Sequence, residues 1–196
     1  VGDTSNSSSK DVNTNAVTLG WDRKIDNETI HGYTITYTQE DVEVGNSGTS
    51  VDIDSYSFST YATFNRSENQ YIEGILGASK LDFKNIRKSG SNTLTGNRNG
   101  KQVFGSIQYI NTLKNKKIDV SPNIRLDLSS TSLSQYSEIG TNALYYGKQT
   151  VETVGLYSGL TFNNELLKND FILRPSAGFE LGIDLSPSSD VSLNYV

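Results

Sequence analysis

The stretch KIDVSPNIRLDL, residues 117–128, decides how the rest of the chain is read. Ile118, Val120, Pro122, Ile124, Leu126 and Leu128 are apolar, and Asp119, Ser121, Asn123, Arg125 and Asp127 between them are polar. Strict alternation means a β-strand with one apolar and one polar face. Soluble strands cluster at about 5–6 residues, whereas a tilted strand crossing a bilayer needs about 9–11. The polar face carries Asp119, Arg125 and Asp127, so it must meet water or charged partners.

The same pattern recurs along the chain. Val17, Leu19 and Trp21 form a short first strand after a polar lead-in, and the turn DRKIDNET follows. Tyr33, Ile35 and Tyr37 alternate with threonines. Tyr56, Phe58, Ala62 and Phe64 share a parity, as do Ile72, Gly74, Leu76 and Ala78. Val103, Gly105, Ile107 and Tyr109 oppose Gln102, Phe104, Ser106 and Gln108. Leu156, Leu160 and Phe162 alternate with small or polar residues. Residues 171–183 read as one strand with Phe171, Leu173, Pro175, Phe179, Leu181 and Ile183 on one face. VSLNYV reads as the start of another. The count is about nine strands without a helix. Shorter turns (65–70, 114–117, 164–169) alternate with usually longer connections (45–50, 89–100, 133–147), as in an up-and-down barrel with short turns on one side.

A weak echo links VSPNIRL, from residue 120, to LRPSAGFEL, from residue 173. Each places proline on the apolar parity near a short turn, where a missing ladder donor costs least.

Composition narrows the function classes. The chain has 196 residues, with 17 Lys and Arg against 22 Asp and Glu. This acidic balance lacks the basic stripe of a nucleic-acid protein. No cysteine is present, which excludes a disulfide framework, a thiol nucleophile or a zinc–thiolate site. No apolar run reaches the ~18 residues of a membrane helix, but barrel strands give no such peak. Methionine is absent, so the chain is expected to begin at a processed terminus or to be a fragment.

Little in the sequence points to catalysis. His31 is the single histidine and heads a strand with no nucleophile elbow elsewhere. Asp52, Asp54 and Glu43 lack Ca²⁺-loop spacing and read as a solvated loop end. No catalytic, cofactor or metal residues are assigned, and no enzyme activity is expected. Glu73, Asp119, Arg125, Asp127, Arg174 and Glu180 fall on polar strand faces. In a barrel they line the lumen; in a soluble sheet they face solvent. Trp21, Phe64, Phe162 and Phe171 lie near short turns, where interface aromatics belong.

The ordered series LGWDRKIDNETIHGYTITYTQ, DIDSYSFSTYATF, YIEGILGASKLDF, DVSPNIRLDL, QTVETVGLYSGLTF and LRPSAGFELGI resembles the C-terminal translocator β-domain of autotransporters, the type V secretion proteins. The resemblance spans roughly residues 17–185. It implies a 12-stranded barrel in the bacterial outer membrane that anchors and helps export an N-terminal passenger. It also implies outer-membrane lipid and barrel-assembly machinery as partners. The expected organisation is a polar lead-in or linker over 1–16 and a partial barrel domain over 17–196, with about nine of twelve strands present. A small porin or adhesin-type barrel and a soluble all-β binding module remain open. Long, sequentially paired strands separate the barrels from the soluble module.

Overall fold

A computed structural model describes residues 9–115, 118–167 and 171–196. The described residues form strands and no helix. In chain order these are β1 (Lys10–Lys24), β2 (Thr29–Val44), β3 (Thr49–Ser67), β4 (Gln70–Ser89), β5 (Asn92–Asn111), β6 (Asp119–Leu133), β7 (Tyr136–Ser137), β8 (Leu144–Tyr146), β9 (Gln149–Asn163), β10 (Leu166–Leu167), β11 (Ile172–Leu173), β12 (Ser176–Asp184) and β13 (Leu193–Tyr195).

Eight of them form one antiparallel sheet in the order β1-β2-β3-β4-β5-β6-β9-β12. Neighbours in space are neighbours in sequence, apart from the short strands set between them. Seven of the eight are 15–20 residues long. Such lengths exceed what a compact soluble sandwich uses. A sandwich also needs an apolar core between its sheets, yet the only buried hydrophobic side chains described are Leu94 and Ala143.

Directly paired residues project to the same face of a sheet, so the register fixes the faces. Leu19 pairs with Ile35, Ile35 with Phe58, Phe58 with Ala78 and Ala78 with Val103. One row further along, Leu76 meets Gly105, Gly105 meets Leu128, and Leu128 meets Val154. Leu126 pairs with Leu156, and Leu156 with Ile183. The apolar parities of all eight strands therefore merge into one surface. Leu19, Ile35, Phe58, Leu76 and Val103 on it are exposed, while small residues of the other parity, such as Ser59, Ser79 and Ser121, are buried. Crowding of small polar groups opposite open, bulky apolar ones puts the polar parity on the concave side of a curved wall.

Several elements differ from the sequence reading. The first strand starts at Lys10, so residues 10–16 of the expected lead-in belong to β1, where they pair with 38–44. A polar composition does not forbid a strand that borrows its ladder from a β-rich neighbour. Residues 1–8 of that lead-in lie outside the described residues, as do 116–117 and 168–170 of two expected turns. The Gly/Asn-rich stretch 89–100, expected to be a loop, is mostly strand. Gly90, at φ 60°, and Ser91 turn the chain, and 92–100 then pair with 81–89. Pairing partners, absent from any local pattern, override the loop-like composition.

The expected 171–183 strand is divided. Ile172–Leu173 pair back on Leu166–Leu167, and β12 starts beyond Arg174 and Pro175. VSLNYV does not begin another stave; β13 pairs with β8 in a three-stranded sheet with β7. Within β6, Pro122 pairs with Leu160 of β9, while the β5 ladder stops one residue away at Ile110–Asn123. The missing N–H thus falls where the β5 ladder has ended.

Leu94, 1% exposed, anchors the β4–β5 extension from the concave side. Leu94→Ala is expected to destabilise this extension by about 2–4 kcal/mol, read as faster amide exchange over 84–100 while exchange at the far end of β4 and β5 is unchanged.

Candidate functional site

The concave face carries the chain's polar chemistry. Thr18 bonds Thr36 at 2.9 Å, Thr34 bonds Ser59 at 2.6 Å and Ser57 bonds Ser79 at 2.8 Å. The Gln102 amide donates to Thr131 at 3.0 Å, and the Tyr61 hydroxyl to Asp22 at 2.8 Å. These are cross-strand pairs of small groups that satisfy one another without long side chains.

A charged cluster crosses β5, β6, β9 and β12. Arg125 donates from Nε to Asp127 at 3.1 Å and from an Nη to Glu180 at 3.0 Å. Ser106 donates to the other Asp127 oxygen at 2.5 Å. The Arg125 guanidinium also lies 4.5 Å from the centroid of the Tyr157 ring, within cation–π range. Tyr157 can lie there because Gly155 and Gly182 flank it. A Cβ on either glycine would come within 2.6 Å of the ring, a close approach that glycine alone permits. The small faces of these glycines let Arg125 reach over β9 to Glu180 on β12.

Three of the six polar-face charges named from sequence are thus brought together: Arg125, Asp127 and Glu180. Glu73 lies on the same concave face, opposite Gln108 and Thr63, apart from this cluster. Asp119 accepts the Asn115 backbone N–H at 3.2 Å and so holds the turn into β6. Arg174 lies between β11 and β12 and donates to Glu165 at 2.7 Å.

Trp21, Phe64 and Phe162 share the convex face. Trp21 stacks parallel on Tyr33 with centroids 6.4 Å apart, and Tyr33 stacks on Phe58 at 6.0 Å. Phe64 and Phe162 are near the same strand ends as Trp21, and Phe171 is exposed before β11. A second aromatic row, Tyr37 with Tyr56 at 5.0 Å, closes the other side of the band, and the sequence reading did not single it out. Its signal was present: both tyrosines share the apolar parity and lie between the apolar band and the first charges beyond it on that parity, Asp41 and Asp54. From Phe64 to Tyr56 is eight residues, about 27 Å along the strand, matching the ~25 Å apolar band of a membrane barrel.

At the Tyr37–Tyr56 side, residues 134–148 fold across the concave face of the β4–β5 extension. Arg87 grips Glu138 through two bonds of 2.7 and 2.6 Å. Glu138 also accepts the Leu144 N–H at 3.0 Å, and its side chain is buried. The Arg87 bonds, foremost, hold the Glu138 carboxyl below its ordinary range despite burial. Arg98 donates to the Ser134 and Gly147 carbonyls and to Gln149. Tyr136 stacks on Tyr146 at 4.7 Å, and burial pushes the Tyr136 hydroxyl up to about 12. This clasp covers one mouth of the concave surface. Composition marked the segment as a polar loop; the partners Arg87 and Arg98 sit in strands 36–51 residues away, too distant for any local pattern.

His31 bonds Thr60 at 2.8 Å through Nε2 and meets the edge of Tyr33. Asp54 accepts from the Tyr37 hydroxyl and pairs with Lys84 at 3.7 Å. Among the described residues no group of three or more His, Cys, Asp and Glu could hold a metal ion.

Comparison with known proteins agrees with this architecture. The family described as Autotransporter beta-domain matches residues 1–196, and the chain belongs to that family. Among solved structures, it is similar to the translocator domain of autotransporter NalP from Neisseria meningitidis, at 17% identity and TM-score 0.80, covering 92% of this chain and 63% of that one. It is also similar to the β-domain of the Bordetella autotransporter BrkA, at 15% identity and TM-score 0.72, covering 92% of this chain and 76% of that one. No curated protein sequence matches it.

The clasp has a defined pH dependence. A carboxyl whose folded pKa is depressed stabilises above its ordinary value of 4.5 and loses that contribution as pH falls through the lower folded value. Protease nicking at the 140–143 tip is expected to rise on acidification below that range. Glu138→Gln is expected to show the same nicking at neutral pH, with a loss of roughly 2 kcal/mol. That is less than the ~3–5 of a fully buried pair because the Arg87 side chain is 31% exposed.

Proposed function

We propose that this member of the autotransporter β-domain family is the membrane-anchoring, translocating part of a larger secreted protein. One observation carries the reading most strongly. The apolar surface is continuous across all eight paired strands, while the polar groups of the same strands bond one another on the opposite side. A bilayer favours both features together: polar groups satisfied within the wall, and an outward face that is predominantly apolar.

In this reading the convex band faces outer-membrane lipid. Glu73, Asp119, Arg125, Asp127, Arg174 and Glu180 belong to the aqueous side of the wall. Trp21, Phe64, Phe162 and Phe171 mark one interface. The chain spans 63% of the neisserial structure it matches, so further strands in the complete protein would extend the wall. The passenger is a segment N-terminal to this chain, exported with the help of the barrel-assembly machinery. A lumen-lining network of short hydroxyls and one internally paired charge cluster suits passage of a polypeptide, because it offers water-like bonding without a deep binding pocket. We propose no catalytic step in this segment, in keeping with His31 being engaged by Thr60.

The test uses the complete protein with an epitope placed N-terminal to this segment, expressed in a Gram-negative host. Intact cells are expected to expose the epitope to external protease and antibody. Retention of the epitope in the periplasm, with the barrel correctly inserted, would overturn the export role. Separately, Leu156→Arg puts a cation between Leu126 and Ile183 on the convex face. It is expected to cost about 2–4 kcal/mol in bilayer-folded protein, measured by urea unfolding in vesicles. Thr153→Arg, on the concave parity of the same strand, is expected to cost far less.

A further inference from the structure

Above the apolar band, on the convex parity, two lysines stand directly opposite each other. Lys80 of β4 pairs with Lys101 of β5, two residues beyond the Ala78–Val103 pair. Lys101 continues to Ser132 and Ser132 to Thr150, and Lys148 lies just before β9, two residues from Thr150. Lys80, Lys101, Lys148, Ser132, Ser134 and Leu133 border one open surface cavity of about 390 Å³.

Like charges directly across an antiparallel pair destabilise it. Asp82 takes up part of the charge, accepting from Lys80 at 2.8 Å. Lys101 and Lys148 have no such partner among the described residues. Glu152, the nearest acid in β9, lies on the same convex parity one row further into the band, opposite Ser130, and forms no ion pair with either lysine among the described residues.

Lys148 is also held in place from the concave side. Arg98 donates to the Gly147 carbonyl at 3.0 Å and to the Gln149 side chain at 3.2 Å. These bonds fix the chain on both sides of Lys148, whose side chain is exposed and borders the same cavity as Lys80 and Lys101. The cluster is therefore not a set of free lysines on a mobile loop.

Position selects the occupant. Two residues beyond Val103 is about 7 Å along the strand, which places the ammonium groups at the headgroup layer if the apolar band is in hydrocarbon. Lysine stems readily lie along apolar surface with their charge in that layer. A molecule bound here has Val103 in the next row toward the band, and Leu76 and Leu128 one row further, all exposed. A free anion would leave those groups unused.

We propose that Lys80, Lys101 and Lys148 form a binding site for the phosphate groups of a phosphorylated lipid at this membrane boundary, with its chains against Val103 and Leu128. The site rests on the outer-membrane barrel reading. The bound lipid would neutralise the Lys80–Lys101 pair and seat the β4–β5 extension at a fixed height.

The test uses the complete protein, folded in detergent micelles, and native mass spectrometry with a diphosphorylated glycolipid and its dephosphorylated counterpart. The phosphorylated lipid is expected to bind in preference. The double variant K101Q/K148Q is expected to lose about tenfold in affinity for it and to keep its affinity for the dephosphorylated lipid. K24Q/K114Q removes the same charge from the opposite strand ends and is expected to change neither. Equal binding of the two lipids, an equal loss in K24Q/K114Q, or competition by inorganic phosphate at the lipid's own concentration would each overturn the proposal. Heat-modifiable mobility of every variant reports the barrel independently. Failure to insert refutes the barrel reading, and insertion without lipid preference refutes this site alone.

Discussion

The structure depends on one constraint, that every backbone donor and acceptor in a hydrocarbon setting must be bonded within the protein. Long antiparallel strands meet it only by pairing on both sides, and β2 through β9 of the main sheet do so. Once the ladder is continuous, period-two alternation decides everything else. Each residue is committed to one of two faces, and a slip of one residue in any strand would exchange lipid-facing and polar groups along its whole length. The uninterrupted Leu19–Ile35–Phe58–Ala78–Val103 row shows that register is kept from β1 to β5.

The polar face solves a different problem. Concave packing brings its side chains close together, so bulk is scarce and small hydroxyls dominate. At the β5–β12 cluster the charges are bonded to one another. Arg125 reaches two acids on two strands and a tyrosine ring between them. Glycine at 155 and 182 makes that reach possible. The resulting surface is polar and bonded, and the single arginine at the cluster offsets one of its two carboxylates.

Much of this was legible in the sequence. Parity was readable wherever the two faces differ strongly in polarity, and the structure places Ile124, Leu126, Arg125 and Asp127 on the faces that alternation assigns. What alternation misses is pairing at a distance. The 92–100 segment is too rich in glycine and asparagine to declare itself a strand, and it becomes one because 81–89 offers a ladder. The 134–148 clasp depends on Arg87 and Arg98, whose roles come from partners far along the chain. The VSLNYV segment alternates like a stave, but its partner is the short β8 strand. Local pattern reports the face a residue takes, not the neighbour it finds.

The two faces are coupled where β4 and β5 leave the band. Lys101 on the convex side is followed, in the adjacent rows, by Gly100 and Arg98 on the concave side. Arg98 binds the chain around Lys148, and Arg87 in the same extension binds Glu138. The convex lysines and the clasp over the mouth therefore lie on opposite faces of the same strands. An extension of this length would otherwise be a two-faced ribbon in water with little apolar area to hold it. Its stability has to come from the inner clasp and from whatever neutralises its outer charges. The β4–β5 extension is therefore the part of the wall where contacts on the two faces bear on the same hairpin.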